Sequence, residues 1–282
     1  MSVKLPTVDA RRLKLIVLAA IIAAFVRVML QPLIPEGNNQ VDPSVVADAG
    51  LLIPSFILYA IIAYIVMGYS FTMVEKRLPW TKMKKGIAYG LLFGLIWVAY
   101  LFEPIPLGEG MSFVELLGYP IADGVSVLLL GILLGHFVAT EQEVSNRTST
   151  GGLSALLFVP LMMLVIRLFE YVIVDIYSSF DDRTLDTIIW VVVTGLCVGI
   201  VYCQIRPGLP TETASGRAVV FGVFFFGIPI TFVNFFVVLA LDVDIADMGL
   251  RTAMDILAVI LGVLIVEKIP SRSLAVISVK SD

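Results

Sequence analysis

The chain has 282 residues, of which 59% are hydrophobic and only 15% charged, with a formal net charge of −4 and a mean hydropathy of +0.99. This composition lies outside the range of soluble globular domains and marks an integral membrane protein. No nucleic-acid partner is expected of it, and the lipid bilayer is its principal surroundings.

A helix needs about 20 mostly apolar residues to cross a bilayer core. Eight such runs follow one another, near residues 14–34, 50–72, 85–103, 116–138, 153–176, 186–205, 217–240 and 250–268. They are apolar on all sides and too long for the alternating segments of roughly ten residues that build a membrane barrel. The predicted fold is therefore all-α, with eight transmembrane helices. The first run is read as a retained span and not as a signal peptide, and the loops are too short to hold a soluble domain.

Lys and Arg near span ends stay on the cytoplasmic side. Lys4, Arg11, Arg12, Lys14, Lys76, Arg77, Lys82, Lys84, Lys85, Arg147, Arg206, Arg217, Lys268, Arg272 and Lys280 share one side, against Arg183 and Arg251 on the other. Both termini are expected in the cytoplasm of a cell-membrane protein. The opposite loops are acidic, with Glu36, Asp42, Asp48, Glu103, Glu109, Asp181, Asp182, Asp242, Asp244 and Asp247 among them.

Eight spans also divide into two sets of four that would enter the membrane the same way up. Gly68 precedes Leu78 and Pro79 at the spacing with which Gly199 precedes Leu209 and Pro210. Gly90 precedes Asp123 at the spacing with which Gly222 precedes Asp255. These anchors predict two tandem four-helix units, residues 1–145 and 146–282, related by a pseudo-two-fold axis along the membrane normal.

Four charges interrupt the apolar runs at one depth. Arg27 in the first span, Asp123 in the fourth, Arg167 in the fifth and Asp255 in the eighth each fall roughly 10 Å below the outer ends of their helices. A charge at mid-membrane costs about 2.5–3.5 kcal/mol even on the lenient insertion scale, so each needs a partner. Under the duplication the expected pairs are Arg27 with Asp123 and Arg167 with Asp255, with pairing across the halves left as the alternative. Glu170 lies one turn from Arg167, and Gln31 one turn from Arg27. Asn234, Tyr119 and Thr252 are candidates for the same layer.

Gly90 with Gly94, Gly131 with Gly135, and Gly195 with Gly199 have the spacing that lets helix backbones approach closely, and are assigned to packing. Pro54, Pro160 and Pro229 fall inside spans and are expected to kink them. Cys197 and Cys203 point to different faces of one helix and read as apolar filler. His136, the one histidine, reads as structural. The basic loop from Glu75 to Lys85 reads as an anchor to anionic headgroups. Asn146 fits a glycosylation acceptor but lies on the predicted cytoplasmic side.

No metal site, cofactor motif or catalytic set emerges, so enzymatic activity is not the leading reading. The charged layer points to a transporter or channel for a small solute or ion. The alternative is a non-catalytic scaffold or anchoring subunit within a larger membrane complex, bound to other membrane subunits. The residues proposed to line the pathway are Arg27, Gln31, Asp123, Arg167, Glu170, Asn234 and Asp255.

Overall fold

A computed structural model describes residues 8–34, 42–104, 113–141 and 154–269. Asn146, Arg147, Glu36, Glu109, Lys4, Arg272 and Lys280 lie outside the described residues. Among the described residues eight helices are long and apolar enough to cross a membrane: α1 Ala10–Leu33, α2 Leu52–Arg77, α3 Lys82–Leu101, α4 Leu116–Phe137, α5 Ala155–Val174, α6 Thr184–Gly208, α7 Ala214–Ala240 and α8 Ile245–Lys268. Among the described residues the only β pairing is an isolated bridge between Pro43 and Leu241.

The helices begin where polar side chains can take up free backbone N–H groups. Asp9 accepts from Arg12 N at 2.8 Å ahead of α1, Thr213 from Gly216 N at 3.1 Å ahead of α7, and Asp244 from Ala246 N at 2.7 Å ahead of α8. Apolar side chains such as Phe25, Leu58, Leu157 and Ile189 stay exposed on the outer faces of the bundle, where a bilayer receives them.

Within the first four helices, α1 packs on α2 and α4, and α3 packs on α4. Within the last four, α5 packs on α6 and α8, and α7 packs on α8. Between the sets, α3 meets α6, α2 meets α7, and α3 meets α7, where the rings of Phe93 and Phe225 lie 5.9 Å apart.

Glycines set the closest crossings. A Cβ on Gly131 would sit 2.5 Å from the carbonyl oxygen of Gly86 and 2.6 Å from Gly90 Cα. The tight α3–α4 contact thus pairs Gly86 and Gly90 with Gly131 and Gly135, whereas Gly94 is in ordinary contact with Gly124. Gly195 sits against Pro160, and Gly199 against Ala155. Because backbone cannot yield as a flexible side chain can, Gly131→Ala is expected to lose about 1–3 kcal/mol of stability. Gly249→Ala, with nothing within 4 Å of its added Cβ, should change little; thermal unfolding in detergent compares the two.

The prolines divide. Pro54 falls in the first turn of α2, where no intrahelical bond is lost, so the expected kink is not required there. Pro160 lies inside its helix, as does Pro120 of α4. Pro229 follows a wide π-helical stretch, Phe221–Gly227, in α7. A second π stretch, Glu170–Val174, closes α5 and ends at Asp175, which adopts left-handed backbone at φ 61°. Such stretches are uncommon and recur at functional sites.

Candidate functional site

Arg27 sits on the face of α1 that carries the buried Ala20, Ala23 and Ala24, and their small side chains let α2 and α4 come close. Its Nε donates to Asp123 Oδ1, and its Nη1 donates to Gln31 Oε1 at 2.9 Å. The second carboxylate oxygen of Asp123 accepts from Trp97 Nε1 at 3.1 Å. Phe56 covers the guanidinium, 5.2 Å from its ring centre.

The second pair is more heavily bonded. Arg167 Nε donates to Asp255 Oδ1 at 2.8 Å, and Nη2 donates to Asp255 Oδ2 at 2.6 Å and to Tyr100 OH at 3.0 Å. This is the bidentate fork in which a guanidinium matches a carboxylate. Tyr100 OH donates to Asp255 Oδ2 at 2.5 Å, and Asn234 bridges Tyr100 OH, at 3.2 Å, and Thr252 Oγ1, at 2.8 Å. Trp190 lies over the guanidinium at 5.1 Å. Both expected Arg–Asp pairings are therefore formed, and Gln31, Asn234 and Thr252 join the layer. Tyr119 makes no hydrogen bond to it among the described residues.

Two members were not expected. Glu103, read above as an outer-loop acid, turns its side chain inward just beyond α3 and accepts from Arg167 Nη1 at 2.8 Å and from Arg251 Nη1 at 2.7 Å. Arg251, counted above among loop charges, is buried in the second turn of α8; it also donates to the backbone oxygen of Tyr177. The spacing of Arg251 and Asp255, one helical turn apart, was the available signal. Glu103 offered none, because only the tertiary fold brings the end of α3 between α5 and α8.

Glu170 is fully buried, and among the described residues neither of its carboxylate oxygens has a hydrogen-bond partner. Its nearest cation is Arg167, whose Nε is 3.6 Å from Oε2. Among the described residues the second-half cluster thus brings three inward-facing carboxylates, Asp255, Glu103 and Glu170, against two guanidiniums, Arg167 and Arg251.

Toward the opposite helix ends lie two further ion clusters. Buried Glu75 accepts from Arg12 Nη2 at 3.1 Å and from Thr140 N and Oγ1 at 3.0 and 2.8 Å, while Lys85 Nζ donates to Thr140 O at 3.1 Å. Glu75 and Lys85 therefore turn into the protein and do not serve the headgroup anchoring read for that loop. Glu267 binds Tyr202, Arg206 and Arg217, the last through Nε at 2.6 Å. Replacing Glu267 with leucine leaves Arg206 and Arg217 without their shared carboxylate. It is expected to lower the unfolding midpoint, by about 1–3 kcal/mol of stability in a denaturant titration.

Among the described residues no group of three or more His, Cys, Asp or Glu is placed to hold a metal ion. His136, at the end of α4, packs edge-on against Phe137. These features define a multi-pass helical membrane protein with a buried ion layer. The chain matches no protein-family model, no curated protein and no solved structure.

Proposed function

We propose that this protein is a transporter or channel for a small solute or ion, with the layer of Arg27, Gln31, Asp123, Arg167, Glu170, Asn234 and Asp255 as its polar pathway. The observation that carries the reading is Glu170. A carboxylate kept only to staple helices would be hydrogen-bonded, since an unsatisfied buried charge is costly. An ionisable group at membrane depth without such bonds has room to take up and release a proton or a cation. The π stretch that begins at Glu170 gives that segment an alternative hydrogen-bonding register.

The orientation that the basic residues favour, with both termini cytoplasmic, puts the layer in the outer half of a cell membrane. A tandem repeat accounts for the helix pairing. Under the offset of Gly68 to Gly199, Tyr59 is equivalent to Trp190, and under that of Gly90 to Gly222, Ala99 is equivalent to Thr231. Trp190 Nε1 donates to Ala99 O at 2.8 Å, and Tyr59 OH to Thr231 O at 3.5 Å and Phe232 O at 2.9 Å. Gly90 abuts Leu128 as Gly222 abuts the equivalent Ile260. Phe93 and Phe225, equivalent to each other, touch, as two residues flanking a two-fold axis would.

One observation favours a scaffold instead. Between Asp255 and Glu267 the buried residues of α8 are Ala258, Val259, Gly262, Val263 and Val266, an apolar stretch of about 18 Å. A scaffold needs no polar path there; a transporter must open one by moving helices.

The readings separate in vesicles loaded with a pH-sensitive dye and given an imposed potential. The transporter reading expects protein-dependent proton movement that falls at least about tenfold in Glu170→Gln, the loss typical of removing a proton-transfer group. Movement equal to that of protein-free vesicles favours the scaffold.

A further inference from the structure

The two Arg–Asp pairs are bonded differently, and the difference leaves a vacancy on one side only. Every nitrogen of Arg167 has an acceptor: Nε and Nη2 on Asp255, Nη1 on Glu103 and Tyr171, and Nη2 also on Tyr100. Arg27 keeps two of these contacts in equivalent form, Nε to Asp123 and Nη1 to Gln31, one turn along the helix as Tyr171 is from Arg167. No glutamate among the described residues reaches it, and Trp97 occupies the carboxylate oxygen that Nη2 would otherwise share. Arg27 is only 3% exposed, yet its Nη2 has no hydrogen-bond partner among the described residues.

That guanidinium lines a partly open cavity of about 60 Å³ between α1, α2, α3, α4 and α7. Phe56, Tyr59, Phe232 and Phe236 form its apolar side, and Asp123 and Trp97 its polar end. That volume is about four to six times the roughly 10–15 Å³ minimum for a single water, so a short-chain acid extending through the open side has room.

We propose that this cavity binds a small monocarboxylate, its carboxylate on the open edge of Arg27 and its apolar body against the aromatic wall. A carboxylate oxygen is the acceptor that Asp255 supplies to Nη2 of Arg167 in the second half, and a guanidinium edge matches it in geometry and charge. Asp123, already ion-paired at the same end, disfavours an anion of higher charge. The aromatic walls leave the rest of the ligand apolar. The inference deepens the transport reading by naming a substrate class, but its test is equilibrium binding and stands apart from flux.

The experiment measures binding of radiolabelled propionate to the purified full-length chain in non-ionic detergent at fixed ionic strength. Saturable binding is expected, weakened about tenfold or more by Ala60→Trp, which fills the cavity while leaving Arg27 and Asp123 in place. Val237→Phe, at the half-buried edge of the cavity, serves if the first variant does not fold. Competition by octanoate above propionate identifies a membrane-derived fatty acid as the source, and the reverse order an aqueous solute; either supports a carboxylate site. Absence of saturable binding, unchanged binding in the filled variants, or equal competition by the matching alcohols would overturn it. Binding that survives when Glu170→Gln abolishes flux, or the converse, separates this inference from the transport reading.

Discussion

Asp255→Leu is expected to be the most damaging single substitution in the layer, costing about 3–5 kcal/mol, the range for breaking one partner out of a buried ion pair. The change removes both acceptors of the Arg167 fork and the acceptor of Tyr100 at once. Arg167 is fully buried and would keep only Glu103, Tyr171, Tyr100 and the unbonded Glu170 around it. Glu103 is already shared with Arg251, so it does not restore the balance. Unfolding in a denaturant titration, followed by helical circular dichroism in detergent, reads the loss. An Asp255→Leu variant within about 1 kcal/mol of the parent would mean that the pair is solvated, contrary to its burial.

The first pair should behave more mildly, and a double-mutant cycle shows why. Arg27→Leu leaves Asp123 with only Trp97, and Asp123→Leu leaves Arg27 with Gln31. Each single change strands one charge, whereas the double change strands none. The expected coupling between the two sites is about 1–3 kcal/mol, with the double variant recovering much of what either single variant loses. Additive losses would show that the two side chains do not share their energy, despite their contact.

Much of this architecture is legible in the sequence because a bilayer is a demanding solvent. The eight apolar runs leave a helix as the only way to satisfy their backbone, and the observed spans agree with the predicted ones to within a few residues at most ends. The same demand put Arg27, Asp123, Arg167 and Asp255 in one layer by depth, while the choice of Arg27 with Asp123 and Arg167 with Asp255 over pairing across the halves came from the proposed duplication. Glu103 and Arg251 escaped because each lies at the rim of its span, where a charge has water as an alternative and carries no obligation to be buried. Lys85 and Glu75 escaped for the same reason at the opposite rim. The π stretches at Glu170 and Phe221 have no compositional signature, since they arise from how α5 and α7 fit their neighbours. Gly86, one turn before Gly90, was within reach of the same spacing rule that picked out Gly131 and Gly135.

In the transport reading, Glu170 is a carboxylate the fold does not need. Equilibrium unfolding of Glu170→Gln beside the unaltered chain, under one detergent condition, tests it most directly. The substitution keeps the shape, removes the ionisable group and breaks no hydrogen bond, only the 3.6 Å contact with Arg167 Nε, so stability equal to the parent or higher, by up to about 1–2 kcal/mol, is expected. A loss of about 2 kcal/mol or more would place Glu170 among the ion pairs that hold the helices together and contradict the claim.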